Sequence, residues 1–172
     1  MMRRRLLYEQ PIVDSRIWLI KDGIDIIDNT GGYICSNQRI SSWNMSGWSG
    51  TMPTLTQEDG YLHLSVSGNP VYGSFIPNSL IPIEQIDGKY FYLDAEIVLS
   101  NKSYFAVEMY DQNNTSYNTE GRFVHINKST SRETQSFRIY KISADRMTGL
   151  KFPLQISTRS TSYINIYNMW IE

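Results

Sequence analysis

Three carboxylates lie close together in the chain. Asp94 and Glu96 are spaced to share one face of an extended segment, and Glu108 follows the short link Ser100-Asn101-Lys102-Ser103. If the segments on either side of that link pair as a hairpin, all three face the same way. Carboxyl groups ~5–9 Å apart are what glycoside hydrolysis requires. A polar outer face on which Lys and Arg from neighbouring strands match the charges is the preferred reading, because no cleft signature accompanies the trio. No catalytic residue is therefore assigned, and the chain is read as a non-enzyme.

Other reactive chemistry has less to stand on. Gly47-Trp48-Ser49-Gly50 lacks the spacing of a serine nucleophile elbow, and neither His63 nor His125 has a nucleophile beside it. His63 should point from a strand towards solvent or a glycan. A phosphate-cradling glycine loop is missing. The single cysteine, Cys35, cannot close an internal disulfide and suits a small buried hydrophobe; no Cys/His spacing fits zinc. Asp111-Gln112-Asn113-Asn114-Thr115 starts like a calcium loop, but Ser116 stands where glycine is needed and Arg122 where the bidentate glutamate belongs. It reads as a loop built on Asx turns. No cofactor and no metal site is assigned, although a calcium held by backbone carbonyls stays open.

Aromatic residues are the more suggestive chemistry. The chain has 12 Tyr and 4 Trp, and such side chains offer a flat apolar face with a polar handle, suited to sugars and to partner chains. Trp43 and Trp48 sit in a Ser/Gly-rich stretch, and Tyr61, Tyr72, Tyr90, Tyr92, Tyr104, Tyr110 and Tyr117 exceed what a core needs. Trp48, Tyr104, Tyr110 and Tyr117 are the candidate sugar platforms. Trp43 reads equally as a plug for one end of the fold.

The elements that must carry these residues are strands. Phe91, Leu93, Ala95, Ile97 and Leu99 alternate with Tyr90, Tyr92, Asp94 and Glu96; Phe105, Val107 and Met109 alternate with Tyr104, Ala106, Glu108 and Tyr110. Leu62, Leu64 and Val66 repeat the pattern, as do Phe152, Leu154 and Ile156 against Gln155 and Ser157. The closing segment from Tyr163 to Ile171 has large residues in both phases, which predicts a strand covered on both sides. Residues 41–54 read as a loop, and the one helical candidate, Ile142 to Gly149, is a single short turn. Strands separated by Asn, Gly, Ser and Pro clusters predict an all-β, antiparallel two-sheet β-sandwich, a jelly roll, with an N-terminal arm.

Length and charge narrow the class further. At 172 residues, one domain is expected. A net charge of −1 supplies no field for a phosphate polymer, so nucleic acid is an unsuitable partner. No apolar run approaches the ~18 residues of a membrane span, so no membrane insertion is expected. Arg3, Arg4 and Arg5 open the chain like an export signal, but Glu9 and Pro11 interrupt the apolar stretch, and no signal peptide is read. Residues 1–21 form either an anchoring arm or an edge strand, and residues 22–172 form the sandwich. As an arm, Arg3, Arg4, Arg5, Leu6, Leu7, Ile17, Trp18 and Leu19 would bind a partner chain.

Two stretches resemble a known group. Asp25-Ile26-Ile27-Asp28-Asn29-Thr30-Gly31-Gly32-Tyr33 resembles the entry of jelly-roll modules in tailed-phage virion proteins. The strand order from Gly88 onward, closing on Tyr163-Ile164-Asn165-Ile166-Tyr167-Asn168-Met169-Trp170-Ile171-Glu172, is similar to the galactose-binding-like, carbohydrate-binding-module jelly roll. The resemblance spans about residues 22–172 and carries no diagnostic ligand motif. It implies a bacteriophage virion component (capsid decoration, head fibre or tail), assembled in the host cytoplasm, homo-oligomeric and bound to other virion proteins through its arm. The alternative it implies is a carbohydrate-binding module recognising cell-surface glycan.

Overall fold

The computed structural model describes residues 14–26, 44–49, 53–68, 71–77, 79–116, 124–139 and 147–172; for 44–49 it describes the backbone. The strands are β1 (Ile17–Lys21), β2 (Ile24–Asp25), β3 (Asn44–Ser49), β4 (Thr54–Gln57), β5 (Leu62–Val66), β6 (Val71–Ile76), β7 (Ile81–Pro82), β8 (Tyr90–Val98), β9 (Tyr104–Val107), β10 (Val124–Ile126), β11 (Thr130–Arg138), β12 (Gly149–Leu150), β13 (Leu154–Thr158) and β14 (Ser162–Ile171). One turn of helix, α1 (Ile83–Ile86), follows Pro82 and buries Ile86. The expected helical candidate falls largely on residues 142–146, outside the described ones.

Two antiparallel sheets face each other. The larger runs β11-β8-β14-β1-β2, with β5 also on β14 and β4 on β5; the smaller runs β10-β9-β13-β6-β3. Alternation puts the expected residues between them: Phe91, Leu93, Ala95 and Ile97 from β8 at 1–3% exposure, and Phe105, Leu154 and Ile156 at 0%. Each such side chain contributes about 1.5–3 kcal/mol on burial. The jelly-roll β-sandwich is thus the product of period-two patterning closed over one core.

Four expectations are corrected. β8 and β9 are not a hairpin: they belong to different sheets, and Ser100–Ser103 is a corner where the chain crosses between them. Lys102 takes φ 58° there, and the corner hydroxyls join the β13–β14 turn, with Ser103 Oγ donating to Thr158 Oγ1 at 3.1 Å and Thr158 Oγ1 lying 2.8 Å from Ser162 Oγ. Hydroxyls bonded to one another can be buried where an unpaired one could not. The stretch 41–54 is not all loop, because β3 pairs with β6.

The closing strand is not covered on both sides. A bulge between Ile166 and Asn168 shifts the phase of β14, so Ile164, Ile166, Met169 and Ile171 all point into one core at 0% exposure.

The fourth correction concerns the arm. Ile17–Lys21 is an inner strand, paired with β14 on one side and β2 on the other. Leu19 is 1% exposed in this chain's own core, so it is not open to a partner; Ile17 packs against that core and Trp18 against Trp170. Asp22 and Gly23 turn β1 into β2 with positive φ (51° and 74°). A side chain at position 23 would collide with the Tyr61 backbone. Arg3, Arg4, Arg5, Leu6 and Leu7 lie outside the described residues. Among those described, no helix is long and apolar enough to cross a membrane.

Candidate functional site

Backbone register lines up two rows of residues across the strands of the smaller sheet, which point outward on β6, β13, β9 and β10. Register aligns Ser46, Ser74, Gln155, Ala106 and His125 in one row and Ser49, Tyr72, Ser157 and Tyr104 in the next. Each row follows from alternation, since the neighbours Val71, Phe75, Leu154, Ile156, Phe105 and Val107 point inward. Tyr72 is 46% exposed, and its hydroxyl accepts from Gln155 Nε2 at 2.9 Å. Tyr104 is half-buried, 4.8 Å from the exposed His125 ring.

Beyond these rows lies Glu108, hydrogen-bonded by Tyr110 and Gln155. Burial pushes its carboxyl above the usual range despite those donors. Burial also raises the Tyr104 and Tyr110 phenols, helped by the Glu108 charge, and Tyr110 bonds Ser74 in turn. Gln155 and Glu108 thus fix a chain of polar groups beneath an exposed tyrosine. None of the described strand residues pointing outward here is Lys or Arg.

Two candidate platforms, Tyr104 and Tyr110, lie on this face. Trp48 falls in a bulge between Ser46 and Ser49 of the adjoining β3, with its side chain outside the described residues, as is Tyr117. Cys35 and Trp43 are also outside them. Gln155, Ser74 and Ser157 were not among the candidates. Alternation pointed Gln155 and Ser157 outward, but sequence does not say that β13 lies between β6 and β9.

The carboxylate trio separates: Glu108 is on the smaller sheet, while Asp94 and Glu96 are on the outer face of the larger. Arg132 grips Asp94 with Nε and Nη2 donating at 3.0 and 2.8 Å, and Asn168 Nδ2 donates at 2.9 Å. Burial would raise the Asp94 pKa, but these bonds and the Arg132 charge outweigh it and hold the carboxyl below its ordinary value. Glu96 accepts from Asn165 at 2.8 Å. Asp111 closes its loop by accepting from the Asn113 and Thr115 amides, both at 2.8 Å, which is the Asx geometry expected. Among the described residues no group of three or more His, Cys, Asp or Glu could hold a metal ion.

No protein-family model matches the chain, and no curated protein matches its sequence. Solved structures do match. TmCBM61 in complex with β-1,4-galactotriose superposes with a TM-score of 0.51 at 10% identity, covering 78% of this chain and 90% of that one. The xylan-binding module CBM15 gives 0.50 at 10% identity, covering 76% and 89%. A point mutant of a family 29 carbohydrate-binding module gives 0.50 at 13% identity, covering 90% and 89%. At such identities the likeness establishes a shared jelly-roll fold.

Proposed function

We propose that this chain is a non-enzymatic carbohydrate-binding module that takes a cell-surface glycan on the outer face of the β10-β9-β13-β6-β3 sheet. The observation that carries the reading is Tyr72: a ring 46% exposed, its hydroxyl held by the buried Gln155 amide, with Ser157 and Tyr104 in its row and the exposed His125 ring in the next. A sugar presents an apolar ring face and many hydroxyls, and this surface offers a stacking ring beside the half-buried Ser157 and Tyr104 and the exposed His125, with Gln155 and Ser74, 3% and 4% exposed, bracing it from beneath. The three solved structures named above, which share the fold, are carbohydrate-binding modules, which supports the reading.

The virion-component reading draws no comparable support, and Leu19 of its anchor is used inside the fold. A glycan array followed by affinity electrophoresis, with wild type beside Tyr72→Ala and Tyr104→Ala, tests the proposal. Wild type is expected to retain at least one neutral glycan that both variants lose. No retention by wild type would overturn it.

A further inference from the structure

On the opposite side of the sandwich, where β4, β5 and the start of β14 meet, lies a pocket of about 240 Å³. The lining residues Thr54, Ser65, Ser67 and Thr161 carry hydroxyls, and His63, Tyr163, Val66 and Ser162 complete the wall, the Ser162 hydroxyl being spent in the buried corner. The volume falls below the ~300 Å³ at which pockets for drug-sized ligands begin, so its occupant is a single small ring. We infer that this pocket is a second sugar site, separate from the tyrosine face, that seats one neutral monosaccharide unit.

The chemistry of the wall selects the occupant. Among the described residues no Lys, Arg, Asp or Glu lines the pocket, so an ionic ligand would be desolvated without a counter-charge. An apolar ligand would strand the hydroxyls. A neutral polyol ring satisfies both conditions.

His63 is oriented for the task. The Glu96 carboxylate can only accept, so Asn165 turns Nδ2 towards it at 2.8 Å and presents Oδ1 to His63 Nδ1 at 2.6 Å. His63 therefore carries its proton on Nδ1, and in the neutral ring Nε2 keeps a lone pair able to accept from a sugar hydroxyl. The His63 and Tyr163 rings, 5.8 Å apart and inclined at 33°, add an apolar contact surface. Thr54 Oγ1 and Ser65 Oγ, 2.9 Å apart, can each donate or accept once a ligand arrives. Glu96 and Asn165 are positioning residues here, and the inference stands whether or not the tyrosine face binds glycan.

The test is an amide-resonance titration of the full chain with methyl glycosides of galactose, glucose, mannose, xylose and N-acetylglucosamine, each to about 50 mM, where a millimolar Kd saturates. Methyl glucuronide serves as the charged control. At least one neutral glycoside is expected to shift Thr54, His63, Ser65 and Tyr163 saturably. Thr54→Val, at an exposed position, and His63→Ala should each weaken that Kd about three- to tenfold, while Tyr72→Ala leaves it unchanged. The inference is overturned if no neutral glycoside shifts these residues, if glucuronide binds as tightly as the neutral probes, or if both pocket variants bind like wild type. Shifts confined to Tyr72, Tyr104 and His125 would overturn it while sustaining the glycan reading of the other face.

Discussion

Both outer faces of the sandwich are rich in aromatic side chains, yet the rings are used differently. On the larger sheet, register aligns Trp18, Trp170 and Tyr92 across three strands, and the rings spend their faces on each other: Tyr92 and Trp170 stack at 4.9 Å with 5° between planes, and Trp18 lies 5.5 Å from Trp170. Cations cover more of them, with Arg16 over Trp18 and Trp170, Lys21 over Trp18 and Arg132 over Tyr167 at 3.7 Å, while Tyr90 at the start of β8 stays open at 43% exposure. On the smaller sheet Tyr72 keeps nearly half its surface in solvent. A count of aromatics therefore does not locate a binding face. Exposure alone does not either, since Tyr90 is nearly as open as Tyr72; what sets Tyr72 apart is its hydroxyl, held by Gln155 beside the polar row of the smaller sheet.

That difference breaks first, if it breaks, at Trp170. Trp170→Ala removes the middle ring of the stack and should lower unfolding stability by about 2–4 kcal/mol in urea titration, with glycan affinity unchanged. Trp170→Phe keeps a stacking ring and removes an indole N–H that has no partner among the described residues, so its cost should stay under about 1.5 kcal/mol. A loss of glycan binding in either variant, with stability intact, would move the proposed stacking face from Tyr72 to the Trp170 stack.

Arg132→Ala is next in size. It strips two donors from an Asp94 side chain that is 11% exposed, while Arg132 itself is 54% exposed. The expected loss is about 1.5 kcal/mol, the low end for a bond to a charged group, because water reaches Arg132. The Asp94 pKa is lowered on folding, so its contribution is present above the ordinary aspartate value of about 3.9 and is lost as pH falls through the lower folded value. Acid titration of wild-type stability should show that loss, and Arg132→Ala should show less of it.

How much of this was legible depends on what each pattern encodes. Alternation in Phe91–Ile97 and in Phe152–Ile156 names the inward side chains, because period two follows from strand geometry alone. It does not name neighbours. Ser100-Asn101-Lys102-Ser103 is equally suited to a hairpin or a corner, and that ambiguity put Glu108 beside Asp94 when a core lies between them. The β14 bulge misled for a related reason: one extra residue near Tyr167 makes a single buried face look like two. Gln155 was legible as outward-facing. Its place between Tyr72 and Tyr104 is a property of sheet order, which local sequence does not carry.

Tyr72→Ala sharpens the comparison from the other side. With its ring already in solvent, truncation should move stability by less than about 1 kcal/mol and weaken glycan binding about tenfold or more. The opposite result, an unstable variant that binds normally, would make Tyr72 a packing residue like Trp170.

The smallest effect, and the one that best separates the faces, is the pH response of Glu108→Gln. Burial raises the Glu108 pKa on folding, so the sign is opposite to that of Asp94. Its contribution is full below the ordinary glutamate value of about 4.3 and is lost as pH rises through the raised folded value. When ionised, the carboxylate is held half-buried with Tyr110 and Gln155 as donors and, in the described residues, no ion pair. Glu108→Gln should therefore melt at or above wild type at pH 7, with the difference shrinking towards pH 4, and should bind glycan a few-fold more weakly for want of a charged acceptor. A carboxylate kept where it costs stability and serves binding is what a ligand face needs. One whose removal costs stability at neutral pH would belong with Asp94, as part of the scaffold.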